Sequence, residues 1–477
     1  MTKPVIVWFR RDLRLADNPA LAVAAAGRAP VVPVFVLEKT RPGAAGCWWL
    51  HHALARLGAD LARIGAPLVL RRGEPPAALE ALAAEAGAGA VLWNRRWDPD
   101  GMASDRRVEE ALHARGLRTE TFDASLLFAP TAVRTASGAP YRVFTPFWKA
   151  CRAGPEPDTP LRPPTQLMPL PQALPSDHPE DWRLLRDAPQ EAFGAAWQPG
   201  EASARERLAD FLDGPVAGYA VERDRPGVDG TSRLSPHLHW GEIGPRQVWL
   251  AARWTADAHP ERAAGIEAFL RELGWREFCQ HLLHHVPDLP TAPLDRRFAA
   301  FPWRDDPAGL AAWQQGRTGY PLVDAGMRQL RQTGWMHNRV RMVTASFLVK
   351  HLLLPWQLGE AWFREALVDA DPASNAANWQ WVAGCGADPA PFFRIFNPVI
   401  QGEKFDPRGD YVRRFVPELA KLPDRWIHKP WQAPAAVLEA AGVRLDATYP
   451  APVVEHAFAR DRALAAFRTL RPGISSS

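Results

Sequence analysis

Cysteine is scarce: there are four in 477 residues, Cys47, Cys151, Cys279 and Cys385. None stands at C-x-x-C spacing from another, which argues against a zinc site, an iron–sulfur cluster or a disulfide framework. Long apolar runs are missing as well, since no stretch approaches the ~20 residues a membrane helix needs. Met1 to Phe9 opens on a short β-type run without signal-peptide architecture. A reduced, cytoplasmic chain is expected. Nucleotide-binding signatures are also missing. No G-x-G-x-x-G follows the first apolar run and there is no Walker loop, so a dinucleotide is not bound there in the usual way. With 47% hydrophobic and 23% charged residues, disorder over the whole length is excluded.

Two features are unusual. The chain has 21 tryptophans against 5 tyrosines, and indoles serve equally as core, as stacking surface or as electron carriers. The net charge is only +4, but the isoelectric point is near 9.0 and the cations are mostly arginine, which suits phosphate recognition. An alanine-, proline- and arginine-rich composition also follows from GC-rich coding, so charge permits nucleic-acid binding without demonstrating it.

Up to residue 130, short β runs (Val5–Phe9, Val31–Leu37, Leu68–Arg71, Ala90–Trp93, Arg118–Phe122) alternate with helical stretches (Pro19–Ala26, Trp48–Ile64, Pro76–Ala86, Ser104–Arg115). This alternation predicts a doubly wound parallel α/β sheet domain over 1–130. Nine prolines between Gly154 and Pro179 mark an extended, semi-rigid connector within a linker over 131–200. Helical periodicity then dominates 201–477, a large all-α domain, with stretches at Ala202–Leu212, Gln247–Trp254, Gly265–His285, Pro307–Gln315, Pro321–Thr333, Asn338–Leu354, Trp356–Leu367 and Asp371–Ala383. The chain is expected to end near Ser477 without a long tail.

Several clusters carry chemistry. In Gly230–Gly241, Ser235 and Pro236 read as an N-cap and N1 pair, and with Thr231 and Ser232 they offer a phosphate cradle. An ordinary capped helix is the competing reading. Glu272, Trp275 and Arg276 fall at i, i+3 and i+4, placing a carboxylate, an indole and a guanidinium on one helical face. Asn338 and Arg341 lie one turn apart, Asn375 and Trp379 are at i, i+4, and Asp369 and Asp371 are able to pair with Arg341. Each alone is weak, because surface ion pairs are common and contribute little.

With the opening Val7-Trp-Phe-Arg-Arg-Asp-Leu-Arg14 and Asp17-Asn18, these motifs acquire a specific order and spacing. The chain resembles the DNA photolyase/cryptochrome family over nearly its whole length, and most closely the bacterial class I cyclobutane-pyrimidine-dimer photolyases. Thr231–Ser235, Trp313–Tyr320, Thr333–Lys350 and Arg394–Asp406 match the family's flavin domain. The resemblance implies an enzyme, a photo-lyase, in which excited reduced FAD passes an electron to a flipped-out pyrimidine dimer in UV-damaged DNA. It implies that FAD is surrounded by Tyr219, Thr231, Ser232, Arg233, Leu234 and Ser235, and by Glu272, Arg276, Asn338, Arg341, Asp369, Asp371 and Asn375. Asn375 would face flavin N5, where a neutral amide does not oppose an anionic reduced flavin. Trp275 and Trp381 would wall the lesion pocket, Glu272 would bond the base edges, and Asn338 and Met342 would complete the floor. Arg223, Arg339, Arg394, Gln401 and Lys404 would meet DNA phosphates and the pocket rim. Trp379, Trp356 and Trp303 fall where the family keeps its electron-transfer chain.

For the antenna, Gly46–His52 and Trp93–Asp100 are similar to the family. The folate-binding Asn-Glu pair is replaced near Asp100-Gly101. Methenyltetrahydrofolate is favoured over deazaflavin, FMN or none. No metal and no membrane partner are expected, and a monomer is. A cryptochrome photoreceptor is the alternative, disfavoured by Asn375, the complete Glu272/Trp275/Trp381 set and the expected lack of a signalling tail. A (6-4) photoproduct lyase is disfavoured by Asn338 following His337, and an iron–sulfur relative by the missing cysteine cluster.

Overall fold

The computed structural model describes residues 2–388 and 393–470; the expected chain end near Ser477 lies outside them. The elements run β1 (Val5–Phe9), α1 (Pro19–Ala26), β2 (Val31–Leu37), α2 (Ala44–Arg63), β3 (Val69–Arg72), α3 (Pro75–Ala86), β4 (Ala90–Asn94), α4 (Pro99–Ala114), β5 (Arg118–Phe122) and α5 (Phe144–Ala153). Then come α6 (Gln190–Ala196), α7 (Glu201–Asp213), α8 (Tyr219–Glu222), α9 (Ser235–Trp240), α10 (Pro245–Ala258) and α11 (Ala263–His285). The remaining α-helices are α12 (Pro307–Gln315), α13 (Pro321–Thr333), α14 (Asn338–Ser346), α15 (Trp356–Ala366), α16 (Pro372–Ala383), α17 (Pro398–Phe405), α18 (Asp410–Phe415), α19 (Ala435–Ala441) and α20 (His456–Arg468). Two compact units form. One comprises Met1–Ala217, Ser232–Pro287 and Val368–Asp371; the other comprises Gly218–Thr231, Asp288–Leu367 and Pro372–Ser477.

The first unit holds a five-stranded parallel sheet of order β3-β2-β1-β4-β5, the expected doubly wound arrangement. Strands β2 and β4 are buried at every residue, as strands covered on both faces must be, which is why they read as continuous apolar runs. Ile6, Trp8, Val34, Leu79, Leu82, Val91, Trp93, Val108 and Leu112 form the core. The edge strand β5, Arg-Thr-Glu-Thr-Phe, is the polar one, which blunts edge pairing.

Strand order reverses at β1/β4, where open α/β sheets usually leave a ligand crevice. Here the chain's own polar side chains occupy that position. Arg10 pairs with Asp105 at 2.6 Å and donates to the Asn94 carbonyl at 2.6 Å. The Asn94 amide donates to Asp12 at 2.6 Å and to Asn18 at 2.7 Å. Arg14, fully buried, donates to the carbonyls of Gly241 (3.0 Å), Asp17 (2.7 Å) and Ala124 (3.0 Å).

Part of the span expected as linker is helical, as α5 and α6. The proline-rich stretch is extended and pinned to this unit: Asp17 N donates to Leu161 O, Val31 N to Met168 O, and Leu167 N to Ile64 O.

In the second unit the expected helix Asn338–Leu354 is interrupted. It is α-helical to Ser346 and continues as a π-turn over Phe347–His351. The wider turn lets two consecutive polar residues point inward. Buried Lys350 donates to the Ala383 carbonyl at 2.6 Å, and buried His351 lies 2.8 Å from His456 Nδ1 on α20. Asp324, also buried, accepts from Thr318 N and Oγ1, Gly319 N and Tyr449 Oη. Among the described residues no helix is long and apolar enough to cross a membrane. All four cysteine thiols are buried, and none is in a disulfide.

Burial, with help from the neighbouring His456 and Arg462 charges, pushes His351 down to about 3. A histidine with a depressed native pKa contributes stability that is present above its unfolded value near 6.5 and is lost as pH falls toward 3. Lowering the pH from 7.5 to 5 should remove about 2 kcal/mol through this residue. Urea unfolding of His351→Gln at the two pH values should show a smaller difference in stability than the unmutated protein shows.

Candidate functional site

In the first unit, Glu272, Trp275 and Arg276 all lie on α11 and are partly exposed. Trp275 is stacked on Phe144 of α5, ring centroids 3.7 Å apart and planes 9° from parallel. Gly274 makes this possible: a Cβ there would meet the Trp148 ring at 2.6 Å. The neighbouring Arg276 is held by its own unit. It pairs with Glu277 Oε1 at 2.8 Å and donates to the Ser125 carbonyl at 2.8 Å. Buried Glu277, whose carboxyl burial pushes up, also accepts from Leu127 N and Phe128 N.

The Ser235 reading needs correction. Helix α9 begins at Ser235 itself, and Leu234 occupies the cap position without a side-chain hydrogen bond. Arg233 has φ +50°, a left-handed turn that is uncommon for a side-chain-bearing residue. Ser232 Oγ accepts from Leu234 N at 3.4 Å, so the hydroxyl closing this turn is three residues before the one expected. Gly241 ends the helix at φ +68°, where a Cβ would meet the Arg11 carbonyl at 2.1 Å.

Asp369 and Asp371 lie in the short Val368–Asp371 segment. Trp240 Nε1 donates to the Val368 carbonyl at 3.0 Å, and Gln280 Nε2 donates to Asp371 Oδ2 at 2.9 Å. His239 Nδ1 is 3.9 Å from the same carboxylate oxygen, and burial pushes this imidazole down. Gln280 and His239 are absent from the sequence-based set. Gln280 falls one turn beyond Arg276 on α11, and that spacing is the signal that points to it.

In the second unit, Asn375 is buried on α16. Its amide donates to the Glu360 carbonyl at 3.0 Å and to Glu360 Oε1 at 2.8 Å. Both amide hydrogens are therefore committed, and the side chain's remaining polar group is an acceptor. Burial raises the Glu360 carboxyl, with Arg364 opposing. Trp379 and Trp356 are buried and Trp303 is partly exposed. Trp379 packs against Phe363 (5.0 Å) and Trp313 (6.2 Å), and a Cβ on Gly359 would meet its ring at 2.1 Å. Trp381 donates to the Asp388 carbonyl at 3.1 Å. Asn338 is exposed at the first position of α14, Met342 is partly buried, and Arg341 donates to the Met336 carbonyl at 2.7 Å. Tyr219 is buried, and Thr231 is partly exposed.

A cavity of about 800 Å³ in this unit is lined by Arg339, Arg394, Gln401 and Lys404, bringing together four of the five expected phosphate and rim residues. Arg223 is not in the lining; its guanidinium lies 5.6 Å from the Tyr219 ring centre. Arg225 and Asp224 line the cavity instead. Asp224 pairs with Arg339 at 2.8 Å.

Taken singly, the groups described suit FAD in kind: the Ser232 hydroxyl a phosphate oxygen, the Asp371 carboxylate a polar ring edge, and the acceptor left on Asn375 a ring N–H. Residues 5–166 match the family described as DNA photolyase, and residues 269–469 match the FAD binding domain of DNA photolyase. A deoxyribodipyrimidine photo-lyase of Agrobacterium fabrum is 52% identical over 475 residues, 98% of each chain. Cryptochrome-1 of Arabidopsis thaliana is 40% identical over 94% of this chain and 68% of its own. The crystal structure of a bacterial class III photolyase from Agrobacterium tumefaciens superposes with a TM-score of 0.96 at 52% identity, covering 98% of each chain. The chain belongs to the DNA photolyase/cryptochrome family. That solved relative is of class III, whereas the motif resemblance points to class I.

Removing the Glu360 side-chain acceptor should leave one of the two Asn375 amide hydrogens buried and unpaired, since the bond to the Glu360 carbonyl remains, costing about 1–3 kcal/mol. Glu360→Leu should therefore lose that much in urea unfolding, whereas Glu360→Gln, which keeps an acceptor, should stay close to the unmutated protein.

Proposed function

We propose that the protein repairs cyclobutane pyrimidine dimers in UV-damaged DNA, using light. The observation that carries this reading is the cavity lined by Arg339, Arg394, Gln401 and Lys404. Guanidinium groups, an ammonium and an amide together suit a nucleic-acid backbone and the rim of a nucleotide pocket. Photolyases are a known instance of enzymes that take the target base out of the stack. Trp275, fixed on one face by Phe144, and Trp381 supply stacking surfaces for the apolar faces of the dimer. Glu272 bonds the base edges, and Asn338 and Met342 complete the floor.

FAD, when bound, supplies the light-driven electron. Tyr219 and the Thr231–Ser235 segment hold its adenine and phosphate half; Arg276, Arg341, Asp369, Asp371 and Asn375 line the rest. Asn375, oriented by Glu360, presents a neutral amide where a carboxylate would oppose a negatively charged ring. Methenyltetrahydrofolate is the proposed antenna, read out as a near-ultraviolet band with folate released on denaturation. The protein acts as a cytoplasmic monomer.

A second reading, a blue-light photoreceptor, is favoured by the 40% identity to the Arabidopsis cryptochrome. Repair separates the two. Protein with reduced flavin, illuminated with dimer-containing DNA, should restore intact pyrimidines; retained flavin photochemistry without repair would establish the photoreceptor. Trp275→Ala should lose ~1–3 kcal/mol of damage-specific affinity. That affinity should also fall steeply with salt as phosphate neutralisation releases counterions. Trp303→Phe and Trp356→Phe should retain FAD but lose its light-driven reduction, while repairing dimers once reduced chemically. Unimpaired photoreduction in both would return these indoles to a packing role.

A further inference from the structure

One buried titratable side chain of the first unit has no part in the proposed repair. His239 lies on α9, one turn beyond Ser235, and its side chain is only 6% exposed. Among the described residues its Nδ1 has no hydrogen-bond partner. Asp371 Oδ2 is 3.9 Å away, too far for a hydrogen bond but near enough for one charge to act on another. Asp369, in the same short segment, and Arg11, two residues beyond β1, are the other charged groups that act on this imidazole. The arrangement is held from three sides. Gly241 stops α9 just after Trp240, whose Nε1 donates to the Val368 carbonyl at 3.0 Å. Asp371 N donates to the Asp369 carbonyl at 2.6 Å, which makes the segment a tight turn. Gln280 Nε2, from α11, holds Asp371 Oδ2 at 2.9 Å.

Resting on the reading in which Asp371 lines the flavin, we propose that His239, acting through Asp371, takes up a proton when the bound FAD is reduced and so offsets the negative charge that the ring acquires. Two electrons and one proton convert FAD into its singly negative reduced form; a second proton, from solvent, goes to His239. The electrons come from whichever donor reduces the flavin, and His239 exchanges none. While the ring is oxidised the imidazole is neutral. Burial disfavours its charge and Arg11 opposes it, against support from Asp371 and Asp369. A further negative charge on the Asp371 side tips this balance toward the imidazolium. Histidine suits the task because its change of charge lies closest to neutral pH. The coupling is reciprocal: a protonated His239 favours reduction, so the flavin becomes easier to reduce as the pH falls.

The test counts the protons taken up per FAD when the full-length, FAD-loaded protein is reduced chemically in weakly buffered solution between about pH 5 and 8. The unmutated protein should take up about one proton at the alkaline end and about two at the acidic end. The ultraviolet absorption of the reduced ring should keep its anionic form throughout. His239→Gln and His239→Leu should stay near one proton across the range, with FAD content and thermal unfolding unchanged. Asp371→Asn, which keeps an acceptor for Gln280 but removes the charge, should move the rise to lower pH. His285→Gln, at a histidine of the same unit that is bonded to the Pro130 carbonyl, should leave the profile as it is. Uptake that never rises in the unmutated protein, or a second proton that appears on the ring itself, overturns the proposal without any variant. A folded His239 variant that follows the unmutated profile, or an unmoved rise in Asp371→Asn, also overturns it. All four outcomes leave the repair reading standing. Protein that neither carries nor accepts FAD overturns both.

Discussion

Arg14 is the interaction on which the first unit depends. Its guanidinium is buried and donates to carbonyls at Asp17, Ala124 and Gly241, residues from widely separated parts of the chain. Glu201 accepts from the backbone of Leu15 and Ala16 beside it, and Arg246 grips Asp17 through two bonds. Burial disfavours the charge on Arg14, while the Asp17 and Asp12 carboxylates support it. Removing one member would leave buried charge or carbonyls without partners, which is strongly destabilising. The same ties fix the end of α9 and the start of α10, and so the ground on which the Ser232–Ser235 turn and the Trp240–Val368 bond stand.

Within each unit, a candidate site residue is placed by a close approach that only a small residue allows. Gly274 brings α11 onto Trp148, and Trp275 settles against Phe144 as a consequence. Gly359 brings α15 onto Trp379, and the same helix carries Glu360 to Asn375. At Trp275 and at Asn375 the local arrangement is thus set by a contact one position away from a glycine. This is a packing constraint rather than a property of the reactive side chains themselves.

Much of this is legible in the residues alone. Strand–helix alternation, buried apolar runs at β2 and β4, and helix boundaries at Pro307, Pro321 and Trp356 follow from local periodicity, which sequence carries directly. The family's motif order points to the site residues. What stays hidden depends on tertiary packing. The π-turn at Phe347–His351 arises because Lys350 and His351 both find buried partners far along the chain. The α9 start is displaced because Arg233 adopts a left-handed turn. Arg225 joins the cavity while Arg223 lies against Tyr219, a choice between two arginines two residues apart that periodicity does not make.

The compact units do not correspond to halves of the chain. The polypeptide passes from one to the other after Ala217, Thr231, Pro287, Leu367 and Asp371. The four-residue segment Val368–Asp371 belongs with the sheet although its neighbours on both sides do not. No single cut in the gene therefore yields either unit by itself. A fragment ending at any crossing before Asp371 lacks pieces of both, and one ending at Asp371 holds the whole first unit but also carries stranded pieces of the second. Exchanging one unit for that of another protein would take several joins within the gene rather than one.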